Sequence, residues 1–396
     1  MSSAADSSAL QFHGYVRADG RVGTRNYLGV LIVGNCAATA ARKVADHFHA
    51  ERLAAFPNVD GVVPFLHELG CGMEKSGEPM DLLRRTLGGS IRNPNLAGAV
   101  VLALGCDRNN IYAFLEQEEL MEGPMLHTVV LQEVGGTANA IDAGVRAIEA
   151  MLPAANAFQR QTVPASRLTV GLQGSAQDPG QDGAASRIQA AIGAAADQLI
   201  AAGGTVIVSN TAATGPALAP RARTDALKQE VEQTILWWRD YTAGRDTATR
   251  TDAPAGVPAW CGSSALDGAL RYAEPLPQHQ RGLVLMDSPS HEAVCASGQM
   301  ASGATLLCVA RPEATGFGAA AVPTVNVATS AAQFAQYADD LDVDGSQLVS
   351  EAANAQQAGL RLLQQWLAYA SGQETQSEYF GTGESKFMPW SIGVFA

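Results

Sequence analysis

The run Leu28-Gly-Val-Leu-Ile-Val-Gly-Asn-Cys36 decides how the rest of the chain is read. It is short, apolar and rich in β-branched residues, the pattern of a strand buried on both faces of a parallel sheet. It ends in a small residue, Gly34, shortly before a cysteine. The same pattern recurs at Cys71, which closes the stretch from Val59 to Gly70, and at Cys106, which closes Gly98-Ala-Val-Val-Leu-Ala-Leu-Gly. In a parallel sheet the carboxyl ends of neighbouring strands face one crevice, where ligands bind. Three thiols at such ends are candidate ligands for one metal ion or cluster, with a coordination position left open for substrate. A buried cysteine is equally an ordinary small hydrophobe. The shared strand–Cys–polar pattern sets these three apart from Cys261 and Cys308, which read as packing residues, and leaves Cys295 open.

Outward from this run, strands and helices alternate. Strands are expected over 28–33, 59–66, 99–104 and 126–131, with helices over 37–50, 79–87, 111–119 and 138–151. The polar, proline-bearing stretch 153–167 reads as a linker. A second series follows, with strands over 168–172, 205–209, 282–286, 304–309 and 324–327, and helices over 184–202, 225–241 and 353–370. The fold class is therefore α/β, with two doubly wound parallel-sheet domains, 12–153 and 166–396.

A chain of 396 residues with 47% hydrophobic and 16% charged residues affords a large core and argues against long disorder. The net charge of -13, without a run of Lys or Arg, argues against nucleic acid or an anionic membrane surface as partner. Residues 1–10 lack the cationic start and apolar core of a signal peptide, and no apolar stretch reaches membrane-spanning length. Six cysteines in so long a chain make no disulfide scaffold and suit a reducing cytoplasm.

Several polar residues stand near the expected strand ends. Arg25 and Asn26, in GTRN, precede the first strand, and Arg25 is a candidate bidentate carboxylate clamp. His67, four residues before Cys71, is a candidate ligand or general base. Asn109 and Asn110 follow Cys106 and can bond hydroxyls. In the strand-to-helix turn QEVGGT, Gly135, Gly136 and Thr137 can present backbone N–H groups to an anion, and Glu133 is a candidate acid or base. The chain carries no Walker loop, GxSxG, HExxH or CxxC.

Taken together, GYVRADGRVGTRN, the NC at Cys36, HELGCG, NPNLAG with the following LGC, QEVGGT, DSPSHEAVCASGQMASGA and SKFMPWSIG resemble the altronate/galactarate dehydratase family of sugar-acid hydro-lyases. The resemblance covers nearly the whole chain after residue 12. It implies elimination of water from a polyhydroxy acid to give a 2-keto-3-deoxy acid. It also implies iron, as Fe2+ or an iron–sulfur cluster, which Cys36, Cys71 and Cys106 would hold. Many members carry a small N-terminal module, fused or as a separate subunit, so a small partner subunit is expected; self-association is left open. A sister branch, the sulfolactate sulfo-lyases, expels sulfite from the same scaffold, and His67 matches the sugar-acid branch better. The chain departs from the family in its second half. Gly174 replaces a cysteine in a motif whose Asp178 is kept, the GNKxGG segment is missing around 252–264, TTGRG appears as Ala310-Arg-Pro-Glu-Ala314, and Asn326 replaces a lysine. These changes imply a smaller or monocarboxylate substrate, or a catalytically silent paralogue.

Overall fold

The computed structural model describes residues 10–174, 183–245, 247, 249, 258–311, 316–349 and 354–394. Its strands are β1 (Gln11–Val16), β2 (Val22–Gly23), β3 (Tyr27–Ile32), β4 (Gly61–Phe65), β5 (Leu96–Ala103), β6 (Leu126–Val130), β7 (Arg160–Pro164), β8 (Thr169–Gly174), β9 (Thr205–Val208), β10 (Leu266–Leu270), β11 (Gly282–Met286), β12 (Leu306–Ala310), β13 (Thr324–Ala328) and β14 (Val343–Asp344). They form a four-stranded sheet ordered β4-β3-β5-β6, a seven-stranded sheet ordered β10-β11-β9-β8-β12-β13-β14, and a small sheet ordered β2-β1-β7. Every pairing in the two larger sheets is parallel.

The side chains of β3 show why this sheet needs helices on both faces. Leu28, Val30 and Ile32 point into a core with the helices Ala38–Asp46 and Thr137–Asn156. Leu31 and Val33 point the other way, towards Met80, Leu83 and Leu87 of the helix Glu78–Ile91 and Phe114 of the helix Ile111–Gln117. That second core does not end at the first domain. It continues through Ala293, Ala296 and Met300 of the helix Glu292–Ser302, then Phe317 and Phe387. Gly89 makes the helix contact close, because a Cβ there would lie 2.4 Å from the Ala301 carbonyl oxygen. The two α/β domains thus share one apolar interface.

The expected linker is partly structured. The helix begun at Thr137 runs to Asn156, through Pro153, and Arg160–Pro164 is a strand. β7 pairs antiparallel with β1, from Gln11 opposite Pro164 to Tyr15 opposite Arg160. Its mostly exposed residues carry no apolar signature, which is why it reads as a connection. No helix among the described residues is long and apolar enough to cross a membrane.

The strand orders locate two crevices. In the smaller sheet the chain moves from β3 outward to β4, then crosses to β5 and β6, so the direction reverses between β3 and β5. In the larger sheet the reversal lies between β8 and β12. Ligands of open α/β sheets bind at the carboxyl ends beside such reversals.

Candidate active site

Cys36 follows β3, Cys71 follows β4 and Cys106 follows β5, so three neighbouring parallel strands deliver their thiols to one edge. Cys36 sits in a short turn of helix, Asn35–Ala37, ahead of Ala38–Asp46. All three cysteines are free and exposed. The Sγ atoms of Cys36 and Cys71 are 3.2 Å apart. Cys106 lies in the adjoining loop, near enough for its charge to bear on Cys71. The hydrogen bond with Cys36, burial, and the negative charges of Cys36, Asp107 and Cys106 together push the Cys71 thiol up to about 11. Gly70 allows this approach of loops. Its φ is +102°, and a Cβ would come within 2.5 Å of the Gly34 Cα.

Beside the thiols stands Asp107. Its Oδ2 accepts the Gly105 N–H at 3.0 Å, while Oδ1 is buried without a hydrogen-bond partner among the described residues. An unpaired carboxylate oxygen, two thiols in contact and a third in the next loop make a donor set of the kind that suits a cation. Among the described residues, no three His, Cys, Asp or Glu side chains are already drawn into a ligating cluster. The set fits a metal in its chemistry and in its origin on three strand ends.

The histidine and asparagines of this edge are occupied in building it. His67 is 6% exposed, and its Nε2 lies 2.9 Å from the Ile32 carbonyl oxygen while Nδ1 accepts the Leu69 N–H at 3.1 Å. These partners fix the neutral tautomer with the proton on Nε2, and burial lowers its pKa to about 4. His67 thereby pins the loop that carries Cys71 to the end of β3. Asn109 is buried, accepting from Arg84 Nε at 2.9 Å and donating to the Val33 carbonyl at 3.2 Å. Asn110 caps the helix Ile111–Gln117 through the N–H groups of Tyr112 and Ala113. Asn109 is therefore not presented to a ligand, contrary to the expectation from sequence, whereas the exposed Asn110 lines a small cavity with Glu133.

Glu133 differs. It is exposed, receives the Tyr112 hydroxyl at 3.1 Å on both oxygens, and lines a small cavity with Gly105 and Asp107, the two neighbours of Cys106. Gly135 and Gly136 take positive φ values of 86° and 113°, and Thr137 opens the 20-residue helix at this edge.

Arg25 and Asn26 are elsewhere. They precede β3 and so lie at the opposite end of the strand from Cys36. Arg25 does clamp a carboxylate, but it is the chain's own: Nε and Nη2 donate to Glu378 at 2.6 and 2.8 Å. Its other contacts are the carbonyls of Thr24, Tyr369 and Gln373. Asn26 is fully buried, bonding Asn58 and Ala155 carbonyls and accepting from Arg17. Both residues are corrected from substrate contacts to structural ones. A guanidinium followed by an asparagine has the same appearance in sequence whichever carboxylate it meets.

The second domain supplies residues that the sequence reading passed over. Arg311 follows β12, at the reversal of the larger sheet, and its Nε is buried without a hydrogen-bond partner among the described residues. Lys386 lies in the C-terminal segment immediately before Phe387, the residue that ties this segment to the end of β4. Glu384 meets Arg42, on the helix after Cys36, at 3.4 Å, and Phe387 packs edge-on against Phe65 at 5.2 Å and lies 6.2 Å from His67. Burial, and then the charges of Arg311 and Lys386, hold His291 below its ordinary value. The signal was present: Arg311 ends an apolar run as the three cysteines do, and Lys386 belongs to SKFMPWSIG.

The departures noted in sequence are now placed. Gly174 closes β8, and a Cβ there would lie 2.4 Å from the Trp260 ring, so a larger residue has no room. Asn326 is 1% exposed and bonds the Phe317 backbone on both sides of its amide and the Asp342 carboxylate. It is a core residue, so its exchange for lysine removes nothing from an open pocket. Asp178 and Glu313 lie outside the described residues. Cys295 is settled as a buried thiol donating to the Pro289 carbonyl at 3.1 Å, and Cys261 and Cys308 are buried.

Comparison with known proteins agrees with this architecture. Residues 14–156 match the family model described as D-galactarate dehydratase/altronate hydrolase, second domain, and residues 165–395 match D-galactarate/altronate dehydratase, C-terminal. The chain is 27% identical to the altronate dehydratase of Escherichia coli (strain K12), over 92% of this chain and 74% of that protein. It is 29% identical to the galactarate dehydratase (L-threo-forming) of the same organism, over 93% and 75%. It is 25% identical to the (2R)-sulfolactate sulfo-lyase subunit beta of Chromohalobacter salexigens, over 94% and 96%. With both of its domains matched, the chain belongs to the D-galactarate/altronate dehydratase family and is a hydro-lyase of that family.

Proposed function

We propose that the protein eliminates water from a small sugar acid or other hydroxy acid to give a 2-keto-3-deoxy acid, using iron held by Cys36, Cys71 and Cys106. The observation that carries this reading is the delivery of three free thiols to one edge by three adjacent parallel strands. Iron held by these thiolates would supply a Lewis acid for the departing β-hydroxyl, a stabilisation of several kcal/mol in such reactions. Arg311 and Lys386 hold the substrate carboxylate, and the Nε of Arg311 is a buried donor with no acceptor among the described residues. Glu133 takes the proton α to that carboxylate. The electron pair of the C–H bond forms the C=C bond, the proton held by Glu133 passes to the departing β-hydroxyl, which leaves as water, and the enol becomes the keto acid. Tyr112 orients Glu133 through its hydroxyl. His67 positions the Cys71 loop.

The proposal includes a small partner subunit. It is supported by the sulfo-lyase relative, which is itself a subunit beta and which the chain matches over 96% of its length. The test is anaerobic turnover of altronate, galactarate and shorter hydroxy acids, alone and with co-purified small proteins, with keto-acid product measured directly. A second reading, carbon–sulfur elimination, is favoured by the 96% coverage of the sulfo-lyase subunit. Sulfite release from sulfolactate without keto-acid formation from any sugar acid would establish it. Iron binding with no turnover of either class would mark a silent paralogue.

A further inference from the structure

We propose that the cleft between the two domains, at the amino-terminal strand edge, is a binding site for a compact dianion, a phosphate group or a small dicarboxylate. A 120 Å³ cavity lies there, lined by Arg21, Arg92, Arg167 and Arg281 together with hydroxyl residues that include Thr169 and Thr305. No Asp or Glu lines it among the described residues. In a chain of net charge -13 such a concentration of one sign needs a reason.

The guanidinium groups are poised differently. Arg21 pairs with Asp19 at 2.6 Å and Arg92 with Glu118 at 3.3 Å, so these two are partly neutralised from outside the cleft. Arg21 also donates to the Arg92 carbonyl, which fixes it against the wall. Arg281 spends Nη1 on the carbonyls of Gln278 and Gln280 at 2.9 and 2.6 Å, and neither it nor Arg167 has a carboxylate partner among the described residues. Two uncompensated positive charges in one cleft match a ligand carrying two negative charges. Guanidinium forks suit phosphate or carboxylate oxygens. The cavity is smaller than the range usual for drug-sized ligands, so the ligand is compact.

The walls come from both domains. Arg21 and Arg92 belong to the first, and Arg281 to the second. The Gln278 side chain already reaches the Asp19 carbonyl across the gap at 3.2 Å. Thr169 opens β8 and Thr305 precedes β12, so the site sits at the edge opposite the strand ends that carry the thiols. A bound dianion would tie the domains together without entering the active site.

The experiment compares thermal unfolding of the full chain in sodium phosphate, sodium tartrate and sodium chloride at matched ionic strength. Wild type is expected to show a saturable rise of about 3–5 °C with phosphate over chloride, from binding to the folded state alone. The double variant Arg167→Ser/Arg281→Ser is expected to lose that rise while its midpoint in chloride stays close to wild type. If that variant does not fold, Arg167→Lys/Arg281→Lys, which keeps the charge, is expected to retain a weakened rise. Tartrate acting as phosphate does assigns the site to any compact dianion, and phosphate acting alone assigns it to the phosphate group. An equal rise in wild type and the serine variant, or chloride matching both dianions, would overturn the proposal.

Discussion

Replacing His67 by glutamine separates a positioning role from a proton-transfer role. In the folded protein His67 is neutral, buried and bonded at both ring nitrogens, with a pKa lowered by burial to about 4 from 6.5. The unfolded chain therefore binds the proton more readily. Stability is fully present above about pH 6.5 and is lost as the pH falls towards 4. That gap corresponds to about 3 kcal/mol by pH 4. Urea unfolding of wild type and His67→Gln from pH 7.5 to pH 4 isolates the effect, because the other titrating groups are common to both. Wild type is expected to be the more stable protein at pH 7.5, since the variant leaves the Ile32 carbonyl or the Leu69 N–H unsatisfied at about 1–3 kcal/mol. The advantage is expected to vanish by pH 4. Parallel curves across the range would refute the buried neutral histidine. At pH 7.5 the variant is expected to keep kcat within about tenfold of wild type; a loss of 10²–10⁴ at unchanged stability is the signature of general acid–base catalysis.

Glu378→Gln leaves Arg25 buried without its carboxylate, and calorimetry is expected to show a loss of about 3–5 kcal/mol with KM unchanged in the folded fraction. Burial alone would raise the Glu378 carboxyl, but Arg25 holds it below its ordinary value, so this contribution is also lost in acid. Arg311→Ala and Lys386→Ala are each expected to raise KM for the hydroxy acid about tenfold or more, at about 1.5–3 kcal/mol per charge-assisted hydrogen bond, with little change in Tm. Cys261→Ala and Cys308→Ala are expected to leave iron content unchanged, since burial pushes both thiols up to about 12 and neither reaches the edge where the other three cysteines stand.

The parallel sheets were legible because their strands are buried on both faces. Gly282–Met286 appears in the sequence as the same five-residue apolar run that the structure folds into β11, and β3 differs from its expected bounds by one residue at each end. What escaped was β1 with β7, whose Arg160–Pro164 half is largely exposed, and β10, whose Leu266-Asp-Gly-Ala-Leu270 has too few apolar residues to stand out. The thiol edge was legible because cysteine after a buried strand is a local pattern. Arg25 was not, because its partner Glu378 lies 353 residues away and only folding brings the two together. Asn109 failed for a related reason: its amide is used by Arg84 and Val33, contacts that no spacing records.

The central claim is that Cys36, Cys71 and Cys106 hold one iron centre. Iron is to be measured by elemental analysis on anaerobically purified wild type and on Cys36→Ser, Cys71→Ser, Cys106→Ser and Cys261→Ala, with circular dichroism confirming that each is folded. The account predicts iron in wild type and in Cys261→Ala, and a severe loss in each of the three serine variants, with an air-bleached visible absorption if the iron is a cluster. Iron absent from wild type, or retained equally in the three folded serine variants, would contradict it.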